Sequence, residues 1–212
     1  MRKDTGPVQQ LEPLVSFPLP GKHLCGLAWD GESLWYSDGD AQRIFQINLE
    51  GKAVVRSIPC WDVRTGLAYD GRNLWQVAGR PKQLRCLDPL DGSVLRRIVL
   101  ETEDATGIDV GDRDFWLGLR VQGLLQLRSL DEGDVLLEFQ TEPDIAGLCQ
   151  VNGLVWYCEY TQSLLIAFDS QRGEEKARYC VPGNPTGLTF DGNSFWYNNY
   201  RDKIISAVRL ED

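Results

Sequence analysis

The sequence predicts an all-β, five-bladed β-propeller with four antiparallel strands per blade. Three observations carry this. A phrase opening with Gly-Leu or Gly-Ile begins at Gly26, Gly66, Gly107, Gly147 and Gly187, at spacings of 40, 41, 40 and 40 residues. Trp35, Trp75, Trp116, Trp156 and Trp196 each stand nine residues after that glycine. The final repeat has no fourth strand, while "PLVSFPL" at residues 13–19 precedes the first repeat with no repeat of its own. Repetition at this period marks an array of stacked units. Pairing the spare N-terminal strand with the last repeat closes a ring and removes its free ends. The expected organisation is an N-terminal tail at 1–12 and one domain at 13–212.

Each element follows from its residues. The first strand of a repeat crowds the axis, so it opens with glycine and carries small residues two places on: Ala28, Ala68, Cys149 and Thr189. Asp30-Gly31 and Asp70-Gly71 then form a turn, because both residue types tolerate positive φ. The second strand holds adjacent apolar residues: Leu34-Trp35, Leu74-Trp75, Phe115-Trp116, Val155-Trp156 and Phe195-Trp196. Adjacent strand residues point to opposite faces, so both faces of each blade are buried. The tryptophans are read as plugs between neighbouring blades. Third strands are "RIFQIN", "QLRCLD", "LLQLRSL", "LLIAFD" and "IISAVRL". A second turn ("DPLDG", "SLDEG", "DSQRG") leads to the fourth strand, as in "VLRRIVL" or "KARYCV". Asp30, Asp70, Asp88, Asp169 and Asp191 are accordingly turn formers.

Composition narrows the function classes. Hydrophobic residues make up 42% of 212, enough for a substantial core. The net charge of −9 argues against general nucleic-acid or anionic-membrane binding, while leaving room for a local basic patch. No secretory signal or run of transmembrane length is visible. The six cysteines (25, 60, 86, 149, 158 and 180) form no CxxC pair. Free thiols in a reducing cytoplasm are expected, with a secreted disulfide protein as the alternative.

Function is expected on the face formed by the loops between second and third strands and between blades. Arg80, Arg120 and Arg201 suit a carboxylate or phosphate, because guanidinium binds such groups bidentately. Tyr160, Tyr200 and Trp61 offer stacking walls, and His23, Asp38 and Arg64 complete the ligand-binding candidates. Glu159 at a strand exit and Asp109 on an innermost strand are candidate acids or bases for catalysis. No cofactor is predicted, but Asp104, Asp144 and Asn184 each lie three residues before a repeat glycine and offer oxygen ligands for a cation such as Ca²⁺. The first reading is a binding module for a small anionic molecule or a peptide end. The alternatives are a propeller enzyme and a protein-interaction platform, so a protein partner also enters.

The stretch "FPLPGKHLCGLAWDGESLWYSDGDAQRIFQINLEG" resembles the repeats of the virginiamycin B lyase and SMP-30/NHL-like propellers. The five-repeat count resembles the plant and bacterial glutaminyl cyclases (glutamine cyclotransferases), which convert N-terminal glutamine to pyroglutamate. The resemblance implies a cyclotransferase, lactonase or lyase activity. The cyclase family tends to place Gln or Glu just before the Gly-Leu phrase, where this chain has Cys25, Thr65, Thr106, Ala146 and Thr186. The lyase family uses a His-containing site, and His23 is the single histidine here. The lactonases use an early metal-binding Glu, and none stands at the matching position.

Overall fold

The computed structural model describes residues 8–210. Its strands run, in chain order, β1 (Gln9–Gln10), β2 (Val15–Pro18), then blade 1 as β3 (Leu24–Trp29), β4 (Leu34–Asp38), β5 (Arg43–Asn48) and β6 (Ala53–Pro59). Blade 2 comprises β7 (Val63–Tyr69), β8 (Leu74–Ala78), β9 (Gln83–Leu87) and β10 (Val94–Val99). Blade 3 comprises β11 (Ala105–Val110), β12 (Asp114–Leu119), β13 (Leu124–Ser129) and β14 (Val135–Gln140). Blade 4 comprises β15 (Ile145–Val151), β16 (Leu154–Glu159), β17 (Leu164–Asp169) and β18 (Glu174–Cys180), and β19 (Pro185–Phe190), β20 (Phe195–Asn199) and β21 (Ile204–Val208) belong to blade 5. Blades 1 to 4 each pair their four strands antiparallel in sequence order, and β19, β20 and β21 of blade 5 do the same.

The ring closes as the sequence predicts. β2 pairs antiparallel with β21, with Val15 opposite Ala207 and Phe17 opposite Ile205, and so supplies the missing strand of blade 5. Within the stretch read as a tail, Gln9–Gln10 add a fifth, parallel strand to β18. Leu11 follows, buried among blade 4 and blade 5 side chains, its N–H bonded to Cys180 O at 2.9 Å. The chain's start thus crosses the seam between two blades before completing the last one.

The five innermost strands contact one another in the order β3, β7, β11, β15, β19 and back to β3. Their approach explains the repeat glycine. A Cβ on Gly107 would lie 2.3 Å from Ala146 O, and one on Gly26 would lie 2.2 Å from Leu67 N, distances that forbid any side chain. The five plug tryptophans are at most 6% exposed, each within an apolar cluster. In three blades the turn aspartate also holds the plug: Asp30, Asp70 and Asp191 accept the indole N–H of Trp35, Trp75 and Trp196 at 2.6–2.7 Å. The other oxygen of each caps its own turn. Gly111 and Val151 occupy that position in blades 3 and 4.

Candidate functional site: an axial cup

Every blade carries a register shift in its first strand pair, at Leu24/Leu27, Val63/Leu67, Ala105/Ile108, Ile145/Leu148 and Pro185/Leu188. Such a bulge re-aims side chains. Here it brings the residue before each repeat glycine to the axis: Cys25, Thr65, Thr106, Ala146 and Thr186 form the floor of a cup of about 210 Å³. The threonines also tie blade to blade. Thr65 Oγ1 donates to Ala105 O, Thr106 Oγ1 to Ile145 O and Thr186 Oγ1 to Leu24 O, at 2.9–3.4 Å.

The wall is set by a second repeating bond. The residue thirteen after each repeat glycine donates its N–H to the preceding interblade loop: Gly39 to His23 O, Gly79 to Asp62 O, Arg120 to Asp104 O, Tyr160 to Asp144 O and Tyr200 to Asn184 O, at 2.9–3.2 Å. Blades 3, 4 and 5 place large side chains there. Blades 1 and 2 place glycines, and the vacated space goes to His23 of an interblade loop and to Arg64 at the start of β7. A Cβ on Gly39 would lie 2.9 Å from His23 Nδ1, and Arg64 Nε reaches Gly79 O at 3.4 Å. The cup is therefore lined by His23, Arg64, Arg120, Tyr160 and Tyr200 above the floor residues.

These groups form a continuous arc. The His23 and Tyr200 rings meet edge-on at 5.8 Å, and Tyr200 meets Tyr160 at 6.3 Å. The Arg120 guanidinium lies 4.7 Å from the Tyr160 ring centre and pairs with Asp144 at 3.2 Å. Asp144, held by this pair and by Thr161 Oγ1 at 2.6 Å, has its carboxyl pushed below the usual range, chiefly by the threonine bond. Lys82, which the sequence reading passed over, stands behind the floor. Its Nζ donates to Ala105 O at 2.7 Å, the carbonyl that Thr65 also uses. Burial lowers its pKa, and Arg64 and Arg120 add to that against the opposing pull of Glu103 and Asp104. No carboxylate is among the lining residues. The Cys25 thiol is raised to about 12 by burial, so it stays protonated at neutral pH.

Of the ligand-binding candidates, the cup gathers His23, Arg64, Arg120, Tyr160 and Tyr200. It does not gather the others. Arg80 and Arg201 are exposed on the loops outside, Arg201 beside Asp202. Trp61 is 74% exposed and lines a separate groove with Arg85 and Arg97. Asp38 is fully buried and accepts four backbone N–H groups, from Lys22, His23, Asp40 and Ala41, at 2.8–3.2 Å. It braces the loops instead of facing a ligand.

Glu159 occupies the register position of Asp38 and does the same work. It is buried, outside the cup lining, and accepts the N–H of Gln162; burial raises its pKa despite that bond. Asn199, at the equivalent place in blade 5, accepts the Asp202 N–H at 3.2 Å. Asp109 lines the opposite mouth of the axial channel with Cys149, Thr189 and Gln150. Its carboxylate accepts the Gln150 N–H at 2.6 Å, and burial lifts its pKa to about 6. The two acids are thus far apart in role and face different surroundings. Asp104 accepts Val121 and Gln122 N–H, Asp144 is engaged as above, and Asn184 donates to Tyr160 O. No group of three His, Cys, Asp or Glu able to hold a metal ion occurs among the described residues.

Fold and site together define a closed five-bladed propeller with an asymmetric basic and aromatic cup on its axis. Among solved structures the chain is similar to the glutaminyl cyclase of Myxococcus xanthus, with a TM-score of 0.82 at 16% identity over 97% of this chain and 99% of that one. It is also similar to the WD40 β-propeller domain of Doa1 (TM-score 0.57, 14% identity, 89% of this chain and 64% of that) and to a streptogramin B lyase (0.54, 15%, 92% and 67%). At these identities the likeness is one of fold. No protein-family model and no curated protein matches the sequence.

Proposed function

We propose that the axial cup binds a small anionic molecule or the carboxylate end of a peptide. The observation that carries this is the convergence of Arg64 and Arg120, from neighbouring blades, on one concave site with no carboxylate in its lining. An anion there gains charge-assisted bonds from the Arg64 guanidinium and from the Arg120 nitrogens that the Asp144 pair leaves free. Tyr160, Tyr200 and His23 supply flat apolar surface for the rest of the ligand. In a chain of net charge −9 such a site is a local exception, which favours selective over general anion binding. Binding is preferred to catalysis because Glu159 and Asp109 do not face the cup and the Cys25 thiol is not activated.

The second reading is a propeller enzyme of cyclotransferase, lactonase or lyase kind. It is favoured by the end-to-end likeness to a structure described as a glutaminyl cyclase. Thermal-shift and calorimetric titration with benzoate, succinate, inorganic phosphate and peptides with free or amidated C-termini tests the first reading; turnover of glutaminyl peptides and lactones tests the second. Binding of free acids but not amides, lost in Arg64→Gln and Arg120→Gln, is the expected result. Turnover without such binding would reverse the preference.

A further inference from the structure

Trp61 and the outer face of blade 2 are left unused by the cup. The third and fourth strands of each blade share one cross-strand position opposite the residue ten after the repeat glycine. In blade 5 it holds Ser206 and Ser16, bonded at 2.8 Å. In blade 3 it holds Gln126 and Glu138, bonded at 2.6 Å. In blade 4 it holds Ile166 and Arg178, the arginine paired with Glu175 at 2.6 Å. In blade 1 it holds Phe45 and Ser57. Blade 2 alone sets two like charges directly opposite, Arg85 and Arg97. Like charges so placed destabilise a sheet, and no carboxylate pairs with either among the described residues.

The two arginines line a groove of about 430 Å³ together with Trp61, Asp62 and Asp91, and neither aspartate forms an ion pair with Arg85 or Arg97. The Trp61 backbone is fixed: Arg85 Nη1 donates to its carbonyl at 2.7 Å, and Gly79 N donates to the next carbonyl, Asp62 O, at 2.9 Å. Its side chain nevertheless stands 74% exposed. Alongside runs β10, which among the described residues pairs only with β9 and exposes Leu95 and Val99. Blade 4 shows that such an outer edge accepts an added strand, since β1 lies there.

We propose that the outer edge of blade 2 docks an extended acidic segment of a partner protein. The segment adds as a strand to β10, packs on Trp61, and sets a carboxylate between Arg85 and Arg97. Main-chain pairing gives affinity and alternate side chains give specificity. An exposed tryptophan beside an arginine is the composition of an interface anchor.

The test is an NMR titration of the isotope-labelled full chain with the peptide Ac-Glu-Val-Glu-Val-Glu-Val-Glu-NH2, and with its Lys-for-Glu counterpart. The expected result is movement of the Trp61 indole and the Val94–Val99 amides by the acidic peptide alone, weakened about tenfold in Arg97→Glu and about fivefold in Trp61→Ala. Both variants are at exposed sites, and the dispersion of the same spectra verifies their folding. Silence of these signals at about 1 mM peptide, or equal binding by both variants, would overturn the proposal. Saturation by inorganic phosphate with no gain from the peptide would make this a small-anion site instead. Shifts that depend on protein concentration without peptide would make the occupant a second copy.

Discussion

At the scale of residues, position in the repeat decides what a side chain does. Asp70 both caps its turn and accepts the Trp75 indole. Asp70→Ala should therefore cost about 2 kcal/mol, since it strands a buried N–H as well as losing a cap; chemical denaturation measures it. Glu159→Gln should leave ligand binding unchanged and raise the melting temperature slightly at neutral pH, because burial disfavours the Glu159 carboxylate and the amide oxygen can still accept the Gln162 N–H. Loss of an activity in this variant with folding intact would return Glu159 to catalysis. Asp109 has a folded pKa raised to about 6 against an ordinary 3.8. Its protonated form is thus favoured by folding, and stability should fall as pH rises from about 4 to about 6. Asp109→Asn should abolish that slope and stabilise the protein at pH 8 by on the order of 2 kcal/mol. A variant melting curve with an unchanged pH slope would contradict this.

At the scale of elements, the strands were legible because three signals coincide at fixed offsets: glycine for crowding, aspartate for the turn and paired apolar residues for two buried faces. Gly107→Ala should unfold the protein or lower its melting point sharply, with Ala146 O only 2.3 Å from the new methyl group. The site was legible in part. The loops that surround the cup could be named, and five of the nine ligand-binding candidates meet in it. Which side chains turn inward depends on the bulge before the repeat glycine and on the thirteenth position after it. That second offset was open to reading: glycine at 39 and 79, against Arg120, Tyr160 and Tyr200, announces where another side chain, His23 or Arg64, must fill the gap. Lys82 and β1 left no such signal. Lys82 reaches the site through a backbone carbonyl of the next blade, and two glutamines carry no strand pattern.

At the scale of the molecule, the ring is fastened twice, by β2 completing blade 5 and by β1 with Leu11 bridging to blade 4. Leu11→Glu should lower stability by about 2 kcal/mol while leaving the cup able to bind, as calorimetry of the variant would show. Removing residues up to Leu19 should prevent closure and abolish binding. For the proposed binding, the rigid ring holds Arg64 and Arg120, from separate blades, at a fixed separation, which leaves little ordering for a ligand to impose. The most direct measurement is a crystal structure of the protein soaked with benzoate. The expected density has the carboxylate between Arg64 and Arg120 and the ring against Tyr160 or Tyr200. An unfilled cup, or benzoate bound at the Asp109 mouth instead, would contradict the account.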